Sequence, residues 1–359
     1  MNAAAIPTPE SIDARFLGEV LRRAGFPGAS VRGYRSERIG TGQLGCCIRY
    51  ALDLEGAGPD APRSLVGKFP SDDATSRATG VALGLYRKEV EFYRTLAPRL
   101  RISVPRCYFA AIDGRGPEFA LFLEDMAPAR PGDQIAGCSP EIARAAALEL
   151  VGLHAPTWND ASLRAYDWVV ESPGTTRELY AQFLPGFLER YGHALAPEQV
   201  AILGRVAESH GPPFDNPEQP FAIVHVDFRL DNLLIDANRT PPRVTVVDWQ
   251  SFVIGAPLSD LAYLLGASLL PEARRPVERE IVRAYHERLL EAGVRGYPFE
   301  RCWTDYRRGS FAGFAVAVIA SMIVQETERG NEMFLAMASR HAQHALDLEA
   351  EEFLSKCTP

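Results

Sequence analysis

Residues 221–250 read FAIVHVDFRLDNLLIDANRTPPRVTVVDWQ. Apolar, β-branched runs at 221–224 and 233–235 flank a polar loop from His225 to Asn232. A Pro241-Pro242 turn then leads into a third run, Val244 to Val247, which ends in Asp248. Such runs bounded by turn residues read as short buried strands. The carboxylates and the amide at their ends are therefore held on rigid supports. Asp227 is followed five residues later by Asn232, and Asp248 closes the next strand. Phosphoryl transfer needs this layout. For that chemistry Asp227 would receive the proton of an attacking hydroxyl. Asn232, as a neutral oxygen ligand, and Asp248, as a second carboxylate, would hold Mg²⁺ against the phosphates.

The stretch HVDFRLDN followed by VVDWQ resembles the catalytic and metal loops of the aminoglycoside phosphotransferase-like small-molecule kinases. Within that group it is similar to bacterial phosphotransferases related to ecdysteroid kinase-like and choline kinase-like proteins. The spacing from Asp227 to Asn232 also equals that of the protein-kinase loop H-R-D-x-x-x-x-N. The resemblance implies an α+β, protein-kinase-like two-lobed fold, with an antiparallel sheet in the N-terminal lobe and a mostly helical C-terminal lobe. It implies ATP and Mg²⁺ as cofactors and a small-molecule hydroxyl as acceptor. Arg229 stands where protein kinases carry lysine, and it could hold the γ-phosphoryl group as charge builds on its oxygens. His225 is expected to support the loop by hydrogen bonding. Two departures stand out. Val226 occupies a position where aminoglycoside phosphotransferases usually carry Gly. Trp249-Gln250 follows Asp248 where protein kinases have Phe-Gly, so no protein-kinase-style flip of this loop is expected.

Upstream, a helix is expected over 8–24, with Thr8 as cap and Pro9 in its first turn. A strand about Val31–Ile39 then meets Gly40-Thr41-Gly42-Gln43-Leu44-Gly45. A dinucleotide-binding unit would need a helix after these glycines. Residues 46–54 have strand composition instead, and strand–glycines–strand is the hairpin that kinases lay over ATP phosphates. An ordinary Gly-rich turn is the plain alternative. Strand 64–70 places Lys68 inside an apolar run. The resemblance makes it the lysine that meets the ATP phosphates. A helix about Leu83–Ala97 should carry the glutamate that orients it. At about 100° per residue, Leu85, Tyr86, Phe92, Tyr93 and Leu96 share a face with Glu89, while Glu91 lies with Arg87 and Arg94. Glu89 is therefore the expected partner. Strands at 103–112 and 118–123 follow, and Glu124 to Met126 open a hinge whose main chain would hold adenine.

This reading divides the chain into an N-lobe over 1–123, a hinge over 124–130 and a helical C-lobe over 131–359. The long stretch between hinge and His225 suggests a helical insert that closes over a small substrate. Helices are expected at 140–154, 261–270, 274–292, 307–329 and 332–354. Asp260, in the first turn of its helix, either favours the helix dipole or reaches back to the catalytic loop. His154 reads as a satisfied or dipole-compensating histidine rather than a catalytic one, and His341 and His344, three apart on the last helix, as surface residues rather than a metal pair.

The chain has 359 residues and a net charge of −8. That balance disfavours nucleic acid or an anionic membrane as partner. Cysteines 46, 47, 107, 138, 302 and 357 form no CxxC pair and read as free thiols in a reducing, cytoplasmic compartment. The apolar stretch 311–324 is too short to span a bilayer and reads as a buried helix. A protein kinase is disfavoured by the long insert, the missing DFG glycine and the absence of an A-P-E segment. A nucleotide-binding module without activity would lack a base or a metal residue, and none is missing. The acceptor is not chosen by these motifs.

Overall fold

The computed structural model describes residues 6–40, 42, 44–170, 176–210, 213–214 and 220–356. The chain divides into two compact units. The first comprises Met1–Arg99, Val104–Ala127 and Asp248–Gln250; the second comprises Leu100–Ser103, Pro128–Val247 and Ser251–Pro359. Two short segments thus leave their sequence neighbours. Arg101 and Ser103 bond to Gly152 and Glu149 of the second unit. Asp248 to Gln250 bond to and stack on side chains of the first.

The first unit starts with helix α1 (Ala14–Arg23), followed by strands β1 (Ser30–Ile39), β2 (Gly45–Glu55) and β3 (Ser64–Pro70). Helices α2 (Ala74–Ala82) and α3 (Leu85–Glu91) precede β4 (Cys107–Ile112) and β5 (Phe119–Glu124). The strands form one antiparallel sheet in the order β1-β2-β3-β5-β4. Leu17, Val20 and Leu21 of α1 pack on Val31, Tyr50, Leu65, Phe69 and Phe122 of the sheet. Burying five or six such side chains stabilises the unit by about 2 kcal/mol each.

Two expected helices differ. The helix over 8–24 is a 3₁₀ turn, Pro9–Ser11, followed by α1, and Asp13 rather than Thr8 caps α1 by accepting from the Phe16 N–H. The helix about Leu83–Ala97 is α3 followed by a π-helical turn, Phe92–Leu96. There Phe92 stacks on Trp249, with ring centroids 4.0 Å apart. A contact of that kind contributes about 1 kcal/mol beyond area burial and gives the widened turn a partner that helical periodicity does not reveal. The fourth strand also starts later than expected, at Cys107, because Ser103 bonds within the second unit.

The second unit contains β6 (Arg130–Pro131), α4 (Pro140–Thr157), α5 (Asp167–Val170), α6 (Arg177–Tyr191), α7 (Pro197–Glu208) and β7 (Ser209–His210). Strands β8 (Ala222–Val224), β9 (Leu233–Asp236), β10 (Arg243–Val246) and β11 (Val253–Gly255) frame the catalytic-loop sequence. Helices α8 (Pro257–Ser268), α9 (Pro271–Arg274), α10 (Glu278–Glu291), α11 (Phe299–Gly309), α12 (Ala312–Ile323) and α13 (Glu328–Asp347), then β12 (Ser355–Lys356), complete it. Strands β10-β9-β6, β11-β8 and β12-β7 form three small sheets, so the region after Asp248 is not wholly helical. Helix α8 is buried along nearly its whole length, against α4, α11, α12 and α13. The expected helix over 307–329 is two helices with a loop, ending where Thr327 caps α13 by accepting from the Gly330 N–H.

The surface placement of His341 and His344 is also corrected, since both are fully buried. Glycines admit them. A Cβ on Gly313 would lie 2.1 Å from the His341 ring, and one on Gly266 would lie 2.4 Å from His344 Nδ1. Burial pushes the His341 ring down to about 3, helped by His344 and Arg340, so it stays neutral. Among the described residues no group of three or more His, Cys, Asp or Glu could hold a metal ion by itself. No helix among them is long and apolar enough to cross a membrane. Cys46, Cys47, Cys107, Cys138 and Cys302 are free, and Cys357 lies outside the described residues.

Candidate functional site

Each unit carries a cluster of the residues singled out above. In the first, strand β3 carries Lys68 between Leu121 of β5 and Cys47 of β2. An ammonium at such a position needs anionic partners. Lys68 Nζ donates to Glu89 Oε1 at 2.7 Å and to Asp248 Oδ1 at 2.9 Å. Burial pulls the lysine pKa down, but Asp248 and Glu89 outweigh it and raise it above the usual value. Burial pushes the Glu89 carboxyl up, with Lys68 pulling the other way. Gln250 Nε2 donates to Glu89 Oε2 at 3.1 Å, so both oxygens of this carboxylate, 1% exposed, are satisfied. Glu91 lies apart from the lysine, accepting from Arg94 Nη1 at 2.9 Å.

The glycine segment joins β1 and β2 as a hairpin with Ile39 opposite Cys47, and a strand follows it. Gly40 turns the chain at φ +73°. A Cβ on Gly45 would lie 3.2 Å from both the Phe69 carbonyl and the Lys68 Cε, so glycine leaves room for the lysine stem there. Gly42 is described, whereas Thr41 lies outside the described residues. At the expected hinge, the pairing of β3 with β5 ends at Glu124, whose N–H donates to Arg106 O at 2.8 Å. Met126 lies beyond the end of that ladder. Asp125, between them, accepts from Arg49 Nε and Ser64 Oγ, both at 2.7 Å.

In the second unit the loop between β8 and β9 folds on itself. Asp227 Oδ1 accepts from Arg229 Nε at 2.9 Å, and Oδ2 accepts from Asn232 Nδ2, also at 2.9 Å. The same Nδ2 donates to the Asp227 carbonyl at 2.9 Å. Asn232 Oδ1 makes no hydrogen bond among the described residues. Arg229 Nη1 donates to Asp231 Oδ2 at 2.6 Å and lies 2.9 Å from Met333 Sδ. Its Nη2 makes no hydrogen bond among the described residues. Burial works against the Arg229 charge, but Asp227, Tyr263 and Asp231 raise its pKa above the usual range. Burial also opposes charge on Asp231, yet Arg329 and Arg229 hold its carboxyl below the usual range.

The backbone of this loop is strained. Val226 has φ +73°, a region that β-branched residues avoid. Asp260, 1% exposed, faces this strain: its carboxylate accepts from the His225 N–H at 2.6 Å and the Val226 N–H at 2.9 Å. His154 is buried, with Nδ1 2.7 Å from the Tyr285 hydroxyl and Nε2 3.4 Å from Asp260. His225 Nε2 lies 3.1 Å from the Val247 carbonyl.

Gln250 and Tyr263 were given no role at these clusters from the sequence. Gln250 follows Asp248 and Trp249 directly, and its amide meets Glu89. Tyr263 donates its hydroxyl to Asp227 Oδ1 at 3.0 Å. It sits three residues after Asp260 on α8, hence on the same helix face. That spacing is a signal the sequence does contain.

A model of the phosphotransferase enzyme family matches residues 60–303. A solved structure of a protein described as an aminoglycoside phosphotransferase, from Ralstonia eutropha JMP134, is 16% identical, covering 93% of this chain and 98% of that one, with a TM-score of 0.52. The GDP complex of aminoglycoside 2'-phosphotransferase-IIIa is 15% identical, covering 92% of this chain and 99% of that one, with a TM-score of 0.54. No curated protein matches the chain. The likeness to these structures is one of fold, the protein-kinase-like α+β arrangement of an antiparallel sheet and a mostly helical region.

Proposed function

We propose that this chain, which belongs to the phosphotransferase enzyme family and is a small-molecule kinase, moves the γ-phosphoryl group of ATP to a hydroxyl of its substrate with Mg²⁺. The observation that carries this reading is the Lys68 ammonium, held within 2.9 Å of both the Glu89 and the Asp248 carboxylates in an apolar strand. A lysine fixed by a buried carboxylate presents its charge to phosphate oxygens in one geometry, so little is reorganised when nucleotide binds. Gly40, Gly42 and Gly45 carry no side chain that would crowd those phosphates, and the main chain at Met126 is assigned to the base.

Asp248 and Asn232 are the residues that would hold Mg²⁺. Asp248, with 39% of its side chain exposed, supplies a charged oxygen. Asn232 supplies a neutral one, because its Nδ2 is committed to Asp227 and only Oδ1 remains. When bound, Mg²⁺ offsets charge on the phosphate oxygens. Asp227 takes the proton of the acceptor hydroxyl, and Asn232 and Arg229 fix the carboxylate in place for it. Arg229 has Nη2 left to meet a phosphoryl oxygen on which charge builds, while Asp231 holds its other nitrogen. The acceptor is a small molecule bearing a hydroxyl.

Thermal melting with and without nucleotide tests the reading. Millimolar Mg·ATP raises the melting temperature by mass action, and ADP appears slowly with water and faster with the right member of an alcohol library. Mg·GTP belongs in the same assay, since a relative of this fold has been solved as a GDP complex. No melting shift with either nucleotide would sink the proposal.

A further inference from the structure

We infer that Tyr263 is a positioning residue for this reaction: its hydroxyl, donating to Asp227 Oδ1, holds the carboxylate in the orientation from which it accepts the substrate proton. The inference rests on the role proposed for Asp227. Three side chains donate to that carboxylate, and two of them, Arg229 and Asn232, come from its own loop. They move with Asp227 if the loop shifts. Tyr263 alone reaches it from a buried helix, at 3.0 Å. Helix α8 is fixed on every side by packing, and Tyr263 is itself 1% exposed. One turn earlier on the same helix, Asp260 holds the main chain of His225 and Val226. The helix thus grips the loop twice, Asp260 by its backbone and Tyr263 by its carboxylate.

The phenol is buried and held in close-packed surroundings. The His341 ring lies 5.1 Å away, centroid to centroid, and the hydroxyl remains a donor because burial and the Asp227 charge raise its pKa well above the usual value. Among the described residues its one hydrogen bond is to Asp227. A carboxylate whose two oxygens are shared among donors from its own loop would otherwise rotate about its terminal bond at small cost, since such sp³–sp² torsions are broad. A fixed donor on Oδ1 removes that freedom and orients the lone pair offered to the acceptor.

Tyr263→Phe keeps the ring and removes the bond. It is expected to lower kcat about tenfold, as for a hydrogen bond to a charged group, while leaving the KM for ATP within about twofold. The assay is ADP release from Mg·ATP, with water and with whichever alcohol raises turnover most. The decisive readout is the pairing of variants. In an Asp227→Asn background, Tyr263→Phe should cost no further turnover, because the group it positions no longer accepts a proton. An equal loss in both backgrounds would assign Tyr263 to packing and overturn the inference. An unchanged kcat in Tyr263→Phe would do the same. Normal turnover by Asp227→Asn, or no ADP release by the native enzyme with any acceptor, overturns the role of Asp227 and this inference with it. If Tyr263→Phe does not fold, the contact is read in protein carrying 3-fluorotyrosine: Asp227→Asn must then move one buried tyrosine fluorine resonance, and a spectrum with none moved refutes it.

Discussion

The two clusters solve the same problem, an ionised side chain away from water, in opposite ways. Around Lys68 the partners come from far along the chain: Glu89 from α3, and Asp248, 180 residues away. Around Asp227 the partners are mostly its own neighbours, Arg229 at i+2 and Asn232 at i+5. The first cluster is preassembled by the fold of a sheet and a helix. The second is a self-closed loop, and a separate helix then pins it through Asp260 and Tyr263. A buried ion pair made by distant partners is costly to break from either side, because the remaining charge has no local substitute. A loop closed by neighbours keeps its shape more easily, and a substitution there reaches chemistry before it reaches binding.

That contrast can be broken most directly at the two aspartates. Asp227→Asn is expected to lose about 10³-fold in turnover, in the range of a removed general base, with ATP affinity within about twofold. Asp248→Asn is expected to weaken Mg·ATP binding as well, since a charged ligand is lost. Isothermal titration beside steady-state rates separates the two. Equal loss of binding in both would erase the distinction between the clusters.

A smaller effect sharpens the same contrast within one helix. Glu89→Gln leaves Lys68 with one carboxylate and should raise the KM for ATP about tenfold or more. Glu91→Gln removes only a partly exposed pair with Arg94, whose expected contribution is under about 1 kcal/mol. ATP kinetics of the two variants check it, and similar losses in both would show that the helix, not the ion pair, sets nucleotide use.

The smallest effect concerns backbone strain, which both clusters contain. Asp248 has φ +67° and Val226 φ +73°. Aspartate tolerates this region and valine does not. A strained residue costs about 1–3 kcal/mol, and glycine gives back about 0.5–1 kcal/mol in chain entropy. Val226→Gly is therefore expected to raise stability by about 1 kcal/mol in urea unfolding, with turnover little changed. A loss of stability would mean that the valine side chain contributes more by packing than its backbone costs.

Periodicity and residue type carried the strands around the glycine hairpin and Lys68, the buried runs flanking residues 225–232, and the amphipathic face that contains Glu89. Each depends on local repeats of two or 3.6 residues, and these survive in a single sequence. The order of motifs along the chain carried the family. What local pattern could not carry depends on partners remote in sequence. Trp249 stacks on Phe92 at the start of a π turn. Glycines 266 and 313 admit two histidines that read as surface residues. Ser103 leaves its strand to bond Thr245 and Glu149. Val226 adopts a glycine conformation while its N–H donates to the buried Asp260 carboxylate. Tyr263 finds Asp227 across 36 residues. In each case the competing local preference is about 1–3 kcal/mol, and buried hydrogen bonds or close-packed rings contribute a comparable amount. Packing therefore decides them, and packing is a property of the folded chain.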